Sequence, residues 1–327
     1  MYYFYFSEGL SAATEFYVNM IRDALLKRGE KVSYTQNLKG IPMHSKILTI
    51  NDKDFYIAYK FKKPSLTINW FQGITPEEIS LMFDRNLYTR LKVIGRTYTE
   101  RFAIRHSDFN LFVSEQMLEH YKNKYGYSGK EHVIMPCFNS SLQEDVFYSS
   151  RYENPSFVYA GNLDVWQCFE KTITIFKNLK KFLPDATLSI FTFEVDKAKR
   201  ILAQNGVEAE VSNKSVIELN IELRKHKYGF IVRDDIAVNH VATPTKMANY
   251  VGAGLIPVFS NSLKAFNQNL KSEYLISFSN EQECVEKILE MEKKNINIEQ
   301  IRGDYELMFS KYWNEKSYIE KLLSTLP

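Results

Sequence analysis

Two cations, Arg233 and Lys246, have side chains and positions that suit a bound anion. Arg233 directly follows residues 228–232, an apolar run whose aromatic and β-branched residues favour a buried strand. Open α/β sheets bind their ligands at the carboxyl ends of such strands. Guanidinium and ammonium groups placed there would hold a phosphate through charge-assisted hydrogen bonds.

The helix that carries Lys246 is predicted to begin near Thr243 or Thr245. Thr243 suits an N-cap, and Pro244 suits the first helical turn. Lys246 then lies in that first turn, beside backbone N–H groups that also favour an anion. Residues 255–259 form a second apolar run, so the segment is predicted to be a strand, a polar loop, a helix and a strand.

The sequence VATPTKMANYVGAGLIPVF, residues 241–259, resembles the donor-binding segment of GT-B glycosyltransferases, especially the family 4-like retaining enzymes. The shared features are a Pro-Thr-Lys run, a helix that ends in small residues and a Pro-Val strand. In that family two glutamates eight positions apart often bind the sugar and the ribose. The aligned residues in this chain are Val241 and Asn249.

The loop GNLDVWQ, which follows a predicted strand, is similar to the loop that opens the donor domain of the same enzymes. In many of them an arginine and a lysine of this loop hold the donor diphosphate. Here Asn162 replaces the arginine, and Trp166 and Gln167 occupy the region of the lysine, so we assign the diphosphate to Arg233 and Lys246. The donor-side residues that the resemblance implies are Gly9, Gly161, Asn162, Trp166, Gln167, Arg233, Asn239, Pro244, Thr245, Lys246 and Asn249.

An acidic pair follows another predicted strand in the stretch WFQGITPEE. Glu77 and Glu78 come directly after Pro76, so one interpretation is a helix start whose dipole favours carboxylates. The stretch also resembles the QG-x-x-PEE loop of a group of bacterial glycosyltransferases, in which a glutamate could hold an acceptor hydroxyl. The acceptor-side residues so implied are Ser7, Gln72, Gly73 and Glu77, and the catalytic residues are Glu77, Glu78, Arg233 and Lys246.

A long amphipathic helix is predicted from Asp84 to His106. Basic side chains project from one side of it, and Lys92 and Arg96 each lie within about 20° of Arg85 around the helix. Such a basic face is commonly solvated, and the alternative is contact with anionic phospholipid or with a lipid-pyrophosphate acceptor. The opposite, apolar face comprises Leu87, Leu91, Ile94, Tyr98 and Phe102.

Strands and helices alternate along the chain in two successive series, which predicts a doubly wound α/β fold in two domains. The length of 327 residues agrees with two domains. With the resemblance, the fold class is GT-B, two Rossmann-like doubly wound domains that face an interdomain cleft. We assign residues 1–140 to an acceptor-side domain and 141–304 to a donor domain, and expect helix 305–327 to pack back on the first. Residues 47–50 and 55–59 predict two strands joined by a tight turn.

Composition excludes several classes of protein. The net charge of +3 is too small to indicate a nucleic-acid partner. The three cysteines lack a CxxC pair, which argues against a disulfide framework and a zinc site and favours a reducing compartment. The first residues, MYYFYFSEGL, predict a strand and not a signal peptide, and no apolar run is long enough to span a bilayer. We therefore expect a cytoplasmic protein, with association to the inner membrane face as an open alternative.

Three functions stay open at this point. The first is a glycosyltransferase that moves a sugar from a nucleotide-diphosphate sugar to a saccharide or lipid-linked glycan acceptor, with retention, in surface polysaccharide or glycoconjugate synthesis. It would need no cofactor and no metal, because Arg233 and Lys246 neutralise the departing diphosphate. The second is a nucleotide-sugar epimerase of the same fold, for which His240 is the only histidine of the donor segment. The third is a protein that binds a nucleotide or a sugar without catalysis.

Overall fold

The structure, a computed structural model, describes residues 1–84, 86–129 and 131–327. These residues form two compact units, and each unit is built on one six-stranded parallel sheet. The predicted α/β class with two doubly wound sheets is confirmed. Unit 1 comprises Met1–Cys137, His240–Thr243 and Asn314–Pro327, and unit 2 comprises Phe138–Asn239 and Pro244–Trp313.

The elements are numbered in chain order. The strands are β1 Tyr2–Tyr5, β2 Val32–Thr35, β3 Lys46–Thr49, β4 Leu66–Phe71, β5 Phe109–Phe112, β6 His132–Ile134, β7 Ser156–Ala160, β8 Thr187–Phe191, β9 Glu210–Ser212, β10 Tyr228–Ile231, β11 Ile256–Ser260 and β12 Ile276–Phe278. The helices are α1 Ala12–Lys27, α2 Asp52–Lys62, α3 Thr75–Met82, α4 Leu87–His106, α5 Glu115–Tyr125, α6 Phe169–Leu179, α7 Val195–Asn205, α8 Val216–Leu223, α9 Ala237–Val241, α10 Lys246–Gly252, α11 Lys264–Asn269, α12 Glu281–Glu292, α13 Ile298–Lys311 and α14 Glu315–Thr325.

The sheet of unit 1 has the strand order β2-β1-β3-β4-β5-β6. Its four central strands, β1, β3, β4 and β5, are mostly buried, as parallel strands covered by helices must be. Trp70 of β4 is completely buried and packs edge-on against Tyr17 of α1, with the ring centroids 5.0 Å apart. The carboxyl ends of β3 and β4 lead into the loops that begin at Ile50 and Gln72.

The sheet of unit 2 has the order β12-β11-β10-β7-β8-β9, which is the 3-2-1-4-5-6 order of dinucleotide-binding folds. The winding direction reverses between β7 and β10, so the loops that follow these two strands diverge there and leave a crevice. Residues 161–167 follow β7, and Arg233 follows β10. The crevice of unit 2 therefore brings together segments that are distant in sequence.

The predicted strand over residues 55–59 is wrong, because these residues belong to α2. Asn51 caps this helix, and its side-chain Oδ1 accepts a hydrogen bond from the Asp54 N–H at 2.7 Å. Phe55 and Ala58 lie three positions apart and are both buried. The cap and the buried helical face outweigh the β-propensity of the aromatic residues.

Helix α4 ends at His106 as predicted and begins at Leu87, three residues after the predicted start, but its environment differs from the prediction. The apolar face is largely exposed, and of its five predicted members only Phe102 is buried. The predicted basic face is also wrong at Arg96, whose guanidinium donates to the buried carboxylate of Asp52 at 2.7 Å. Lys92 is exposed and lies over the ring of Phe83, and Arg85 lies outside the described residues.

The last residues of the chain form two helices where one was expected. Helix α13 belongs to unit 2, and α14 packs on α1 within unit 1. The Tyr2 hydroxyl donates to the carbonyl oxygen of Pro327 at 2.6 Å, which ties the chain end to the first strand. Within the described ranges, none of the helices has the length and apolar character needed to cross a bilayer.

Candidate functional site

Helix α10 is positioned by a close approach to the sheet of unit 2. Gly229 of β10 has no side chain, and a Cβ atom there would lie 2.4 Å from the ring of Tyr250. The Tyr250 ring occupies this space, and its hydroxyl accepts the N–H of Ala160 at the end of β7 at 3.0 Å. Lys246 is four positions before Tyr250 and so lies on the same side of the helix, towards the crevice.

Arg233 and Lys246 meet at one oxygen atom. Arg233 Nη2 donates to Gln167 Oε1 at 2.6 Å, and Lys246 Nζ donates to the same oxygen at 2.7 Å. Arg233 is 6% exposed, and its backbone N–H donates to Ser260 Oγ at 2.8 Å. We call Gln167, Arg233 and Lys246 the basic cluster. The structure thus joins the two cations predicted from sequence and adds the contact with Gln167.

The basic cluster holds more positive charge than its surroundings balance. In the part of the chain that the structure describes, neither Arg233 nor Lys246 forms an ion pair with a carboxylate. Burial lowers the pKa of Arg233, and burial together with the Arg233 charge lowers the pKa of Lys246 well below its usual value. A neutral amide oxygen does not compensate the charge of a buried guanidinium and a partly buried ammonium, so the arrangement favours an anion with several oxygens.

Gly161 leaves the space that the Lys246 side chain occupies. Its φ of +135° is a backbone conformation that residues with a Cβ rarely adopt, and a Cβ there would lie 2.4 Å from Lys246 Cε. The ammonium also lies 4.3 Å from the centroid of the Tyr159 ring. A glycine at the end of β7 is therefore part of how the cation is held.

The remaining donor-side residues predicted from sequence differ in their surroundings. Asn162 donates from Nδ2 to the carboxylate of Asp164. Asn239 is 1% exposed and donates to the carbonyl oxygen of Asp234 at 3.0 Å, so it holds the loop after β10. Trp166, Pro244, Thr245 and Asn249 are partly exposed in unit 2, and Gly9 belongs to unit 1.

Unit 1 contains a pocket of about 280 Å³ at the carboxyl ends of β3 and β4. We call it the acidic pocket, since three carboxylates contribute to its wall. It includes Gln72, Gly73 and Glu78, which the sequence analysis placed on the acceptor side or among the catalytic residues. Its lining comprises Ile50, Asn51, Asp52, Phe71, Gln72, Gly73, Thr75, Glu78, Glu100 and Tyr121.

Two cations compensate part of this negative charge. Arg96 pairs with Asp52, as described above, and the Thr99 hydroxyl also donates to that carboxylate. Lys124 Nζ lies 2.8 Å from Glu100 Oε2 and 2.7 Å from Glu77 Oε1. Burial raises the pKa of Asp52 and of Glu100 despite these partners. For Glu77, burial is outweighed by the contacts with His120 and Lys124, which lower the pKa.

Glu78 differs from its neighbours because no cation pairs with it among the described residues. Its Oε1 accepts the N–H of Ile74 at 3.2 Å, so it also caps α3, as one interpretation of the sequence proposed. Gly73 leaves room for it, because a Cβ there would lie 2.1 Å from Glu78 Oε1. Burial raises the pKa of Glu78 to about 7. The carboxyl is therefore balanced between its two protonation states near neutral pH.

Ser7 and Glu77 do not line the acidic pocket. The N–H and the hydroxyl of Ser7 both donate to Asp54, at 2.8 Å and 2.6 Å, so the side chain holds the loop after β1. Glu77 is occupied by the ion pair with Lys124. Asp52 and Glu100 also line the pocket, and the sequence did not predict them there. Recognition of Asn51 as a helix cap would have placed Asp52 at the start of a helix beside the pocket.

No family model matches the sequence, and no curated protein resembles it by sequence. Solved structures do resemble it in fold. HepE of Anabaena in complex with UDP-glucose has a TM-score of 0.69 at 11% identity, covering 99% of this chain and 98% of that chain. WaaG, a glycosyltransferase involved in lipopolysaccharide biosynthesis, has a TM-score of 0.67 at 9% identity, with 98% and 99% covered.

The chain has the GT-B fold. TarM of S. aureus, in complex with fondaparinux, α-GlcNAc-glycerol and UDP, has a TM-score of 0.67 at 12% identity. The match covers 88% of this chain and 57% of the TarM chain, so this chain spans less than two thirds of TarM. At such identities the likeness shows the GT-B fold alone. The predicted fold class is confirmed, and the family 4-like detail stays a prediction.

Proposed function

We propose that this chain is a glycosyltransferase that moves a hexosyl group from a nucleotide-diphosphate sugar to a saccharide or lipid-linked glycan acceptor. The observation that carries the proposal is the convergence of Arg233 and Lys246 on Gln167 Oε1 at 2.6 Å and 2.7 Å, in the crevice of unit 2. A diphosphate would supply the negative charge that the basic cluster lacks. HepE and TarM were solved with UDP bound, so UDP-sugars are the first donors to test.

The basic cluster also has the chemistry that the reaction needs. Cleavage of the bond between the anomeric carbon and the diphosphate leaves a growing negative charge on the departing phosphate. Two cations already fixed in a buried site stabilise this charge with little reorganisation. We propose on this ground that transfer needs no metal ion.

In our proposal the acidic pocket receives the acceptor. Glu78 holds the acceptor hydroxyl and takes up its proton as the hydroxyl oxygen bonds to the anomeric carbon. A pKa of about 7 suits a group that must accept a proton near neutral pH. Gln72, also in the pocket wall, has an Nε2 without a partner among the described residues, which suits a ligand oxygen.

Further details of the proposal rest on the resemblance of residues 241–259 to family 4-like enzymes. They are retention of the anomeric configuration and a role in surface polysaccharide or glycoconjugate synthesis. The three cysteines are free, which agrees with the cytoplasmic location that we propose.

A panel of UDP-, GDP- and CMP-sugars tests the proposal when nucleotide release is measured with and without simple alkyl glycosides. Slow release that an acceptor accelerates supports a glycosyltransferase. Interconversion of the sugars without release would indicate an epimerase. Binding without turnover for every donor would indicate a protein that only binds nucleotides or sugars, and would contradict the proposal.

A further inference from the structure

Helix α4 exposes an apolar stripe that no part of the described chain covers. The stripe comprises Leu87, Leu91, Ile94 and Tyr98, whose side chains are 73%, 60%, 65% and 54% exposed. These residues lie within about 60° of each other around the helix, so they form one continuous row. Large apolar side chains in such a row mark a surface that contacts something else.

Neighbouring residues extend this surface. The end of α3 and the following turn add more exposed apolar side chains, and Tyr88 adds one from the first turn of α4. The additional residues are Leu81, Met82, Phe83 and Tyr88, which are 38%, 51%, 43% and 73% exposed. The apolar surface therefore includes both helices of the α3–α4 pair.

The charge on α4, a helix described along its whole length, has one sign at the surface. Arg90, Lys92 and Arg101 are exposed, whereas Glu100 is the only acid of the helix and is buried against Lys124. Around the helix, Arg90 and Lys92 lie on opposite sides of the apolar stripe. Exposed apolar side chains between basic ones are typical of helices that lie in a membrane interface.

We propose that the α3–α4 surface binds an anionic phospholipid bilayer, with the apolar stripe in the headgroup and acyl boundary and the flanking cations on lipid phosphates. A second copy of the chain is a poorer occupant. A twofold contact through this surface would bring the basic residues of one copy against the same residues of the other. An anionic bilayer provides both an apolar layer and the opposite charge.

The same helices contribute to the acidic pocket. Arg96 projects about 180° from Leu87 around α4 and pairs with Asp52 in the pocket wall. Helix α3 carries Glu78 at the pocket and ends at Met82 in the apolar surface. A bilayer bound there would lie about one helix diameter, roughly 10 Å, from the pocket. If the proposed transferase function holds, this placement favours an acceptor anchored in that bilayer, but the bilayer contact itself does not depend on the function.

Vesicle co-sedimentation of the full chain tests the contact without any sugar substrate. We expect binding to vesicles of phosphatidylcholine and phosphatidylglycerol in equal parts, and much weaker binding to phosphatidylcholine alone. The double variant Leu91→Glu/Ile94→Glu should bind the anionic vesicles at least about tenfold more weakly, because it places charge in the apolar layer. Arg90→Ala should reduce binding about fivefold at low salt.

The matched control is Val216→Glu/Ile217→Glu on α8, where the two replaced residues are 65% and 76% exposed. This variant should bind vesicles nearly as well as the unmodified chain. Equal loss in both double variants would contradict the proposal, as would absence of binding to anionic vesicles. A dimer in sedimentation velocity that Leu91→Glu/Ile94→Glu dissociates, without vesicle binding, would assign the surface to a second copy and overturn the bilayer. Unchanged thermal unfolding shows that each variant is folded.

Discussion

The basic cluster of unit 2 and the acidic pocket of unit 1 are built on the same principle with opposite charge. In each, a glycine at the end of a strand leaves room for a charged side chain, Gly161 for Lys246 and Gly73 for Glu78. In each region, the charges of one sign outnumber the opposite charges that pair with them. Because uncompensated buried charge costs stability, both regions hold an imbalance that a ligand of the right kind would relieve.

The two regions differ in which groups carry the uncompensated charge. Arg233 and Lys246 share a neutral oxygen and pair with no carboxylate among the described residues, so an external anion would balance their charge. In the acidic pocket Arg96 and Lys124 already pair with carboxylates, and the imbalance is left on Glu78, which protonation near neutral pH can discharge. The difference suits a charged donor at the first region and a neutral hydroxyl acceptor at the second.

The largest effect is expected for Arg96→Ala, which removes a cation from the acidic pocket. Asp52 is 3% exposed, so the variant leaves a buried carboxylate with one partner fewer. The free energy of unfolding should fall by about 3 kcal/mol at neutral pH, near the lower end for broken buried pairs, because Arg96 keeps partial contact with solvent. The loss should shrink in acid, where Asp52 takes up a proton.

Urea unfolding at neutral and acidic pH measures this change, with Arg90→Ala as the control on the same helix. The exposed Arg90 should change stability by less than about 0.5 kcal/mol. A loss equally small for Arg96→Ala would return Arg96 to the solvated basic face predicted from sequence, and would remove the charge balance described for the pocket.

Gly161→Ala should affect the basic cluster and leave the acidic pocket unchanged. The new Cβ would force Lys246 from its place, so UDP should bind about tenfold more weakly, or about 1.4 kcal/mol, while the acidic pocket keeps its properties. Gly303→Ala is the control, since a Cβ at that helical glycine meets nothing within 4 Å. Calorimetric titration with UDP should find the control unchanged. Equal affinity of UDP for Gly161→Ala and the unmodified chain would mean that Lys246 is not held by this close approach.

A smaller effect is expected for Glu78→Gln, which removes the one carboxyl of the acidic pocket that has no cation partner among the described residues. Since burial raises the folded-state pKa of Glu78 to about 7, the folded protein binds the proton more tightly than the unfolded chain. The unmodified chain therefore loses stability as pH rises through 7. Allowing for solvent screening, the variant should gain about 1 kcal/mol relative to the unmodified chain between about pH 5 and pH 8. If the free energy of unfolding changed with pH in the same way for Glu78→Gln and the unmodified chain, the pKa of Glu78 would not be raised by folding.

The basic cluster was largely predictable from sequence because its pieces are local. Arg233 follows an apolar run, and Lys246 opens a helix as predicted. The predicted cap is wrong, because the Thr243 hydroxyl accepts the N–H of Cys137 at 3.0 Å and no side chain caps α10. Each piece belongs to a pattern of strand, loop and helix whose ligand side is fixed by the handedness of parallel folds. Gln167, from the loop after β7, was expected in the site, but its oxygen could not be identified as the point where both cations meet.

The acidic pocket was less predictable because its charges pair across long separations in the chain. Asp52 and Arg96 are 44 positions apart, and the residues around Asp52 were predicted to form a turn and a strand. Helix α4 shows a related limit. Helical periodicity correctly grouped Leu87, Leu91 and Ile94 on one face, but it does not indicate whether that face is covered by the same chain.

Calorimetric titration of UDP into the unmodified chain and into Lys246→Ala measures whether the basic cluster binds a diphosphate. Charge-assisted contacts contribute roughly 1.5 to 3 kcal/mol, so the variant should bind UDP more weakly by at least about 1 kcal/mol. Lys287→Ala is the matched control, because it removes an ion pair with Glu283 and a hydrogen bond to the Ser277 carbonyl oxygen without touching the basic cluster, and it should leave the affinity unchanged. Equal affinity of UDP for Lys246→Ala and the unmodified chain would contradict a diphosphate site at the basic cluster.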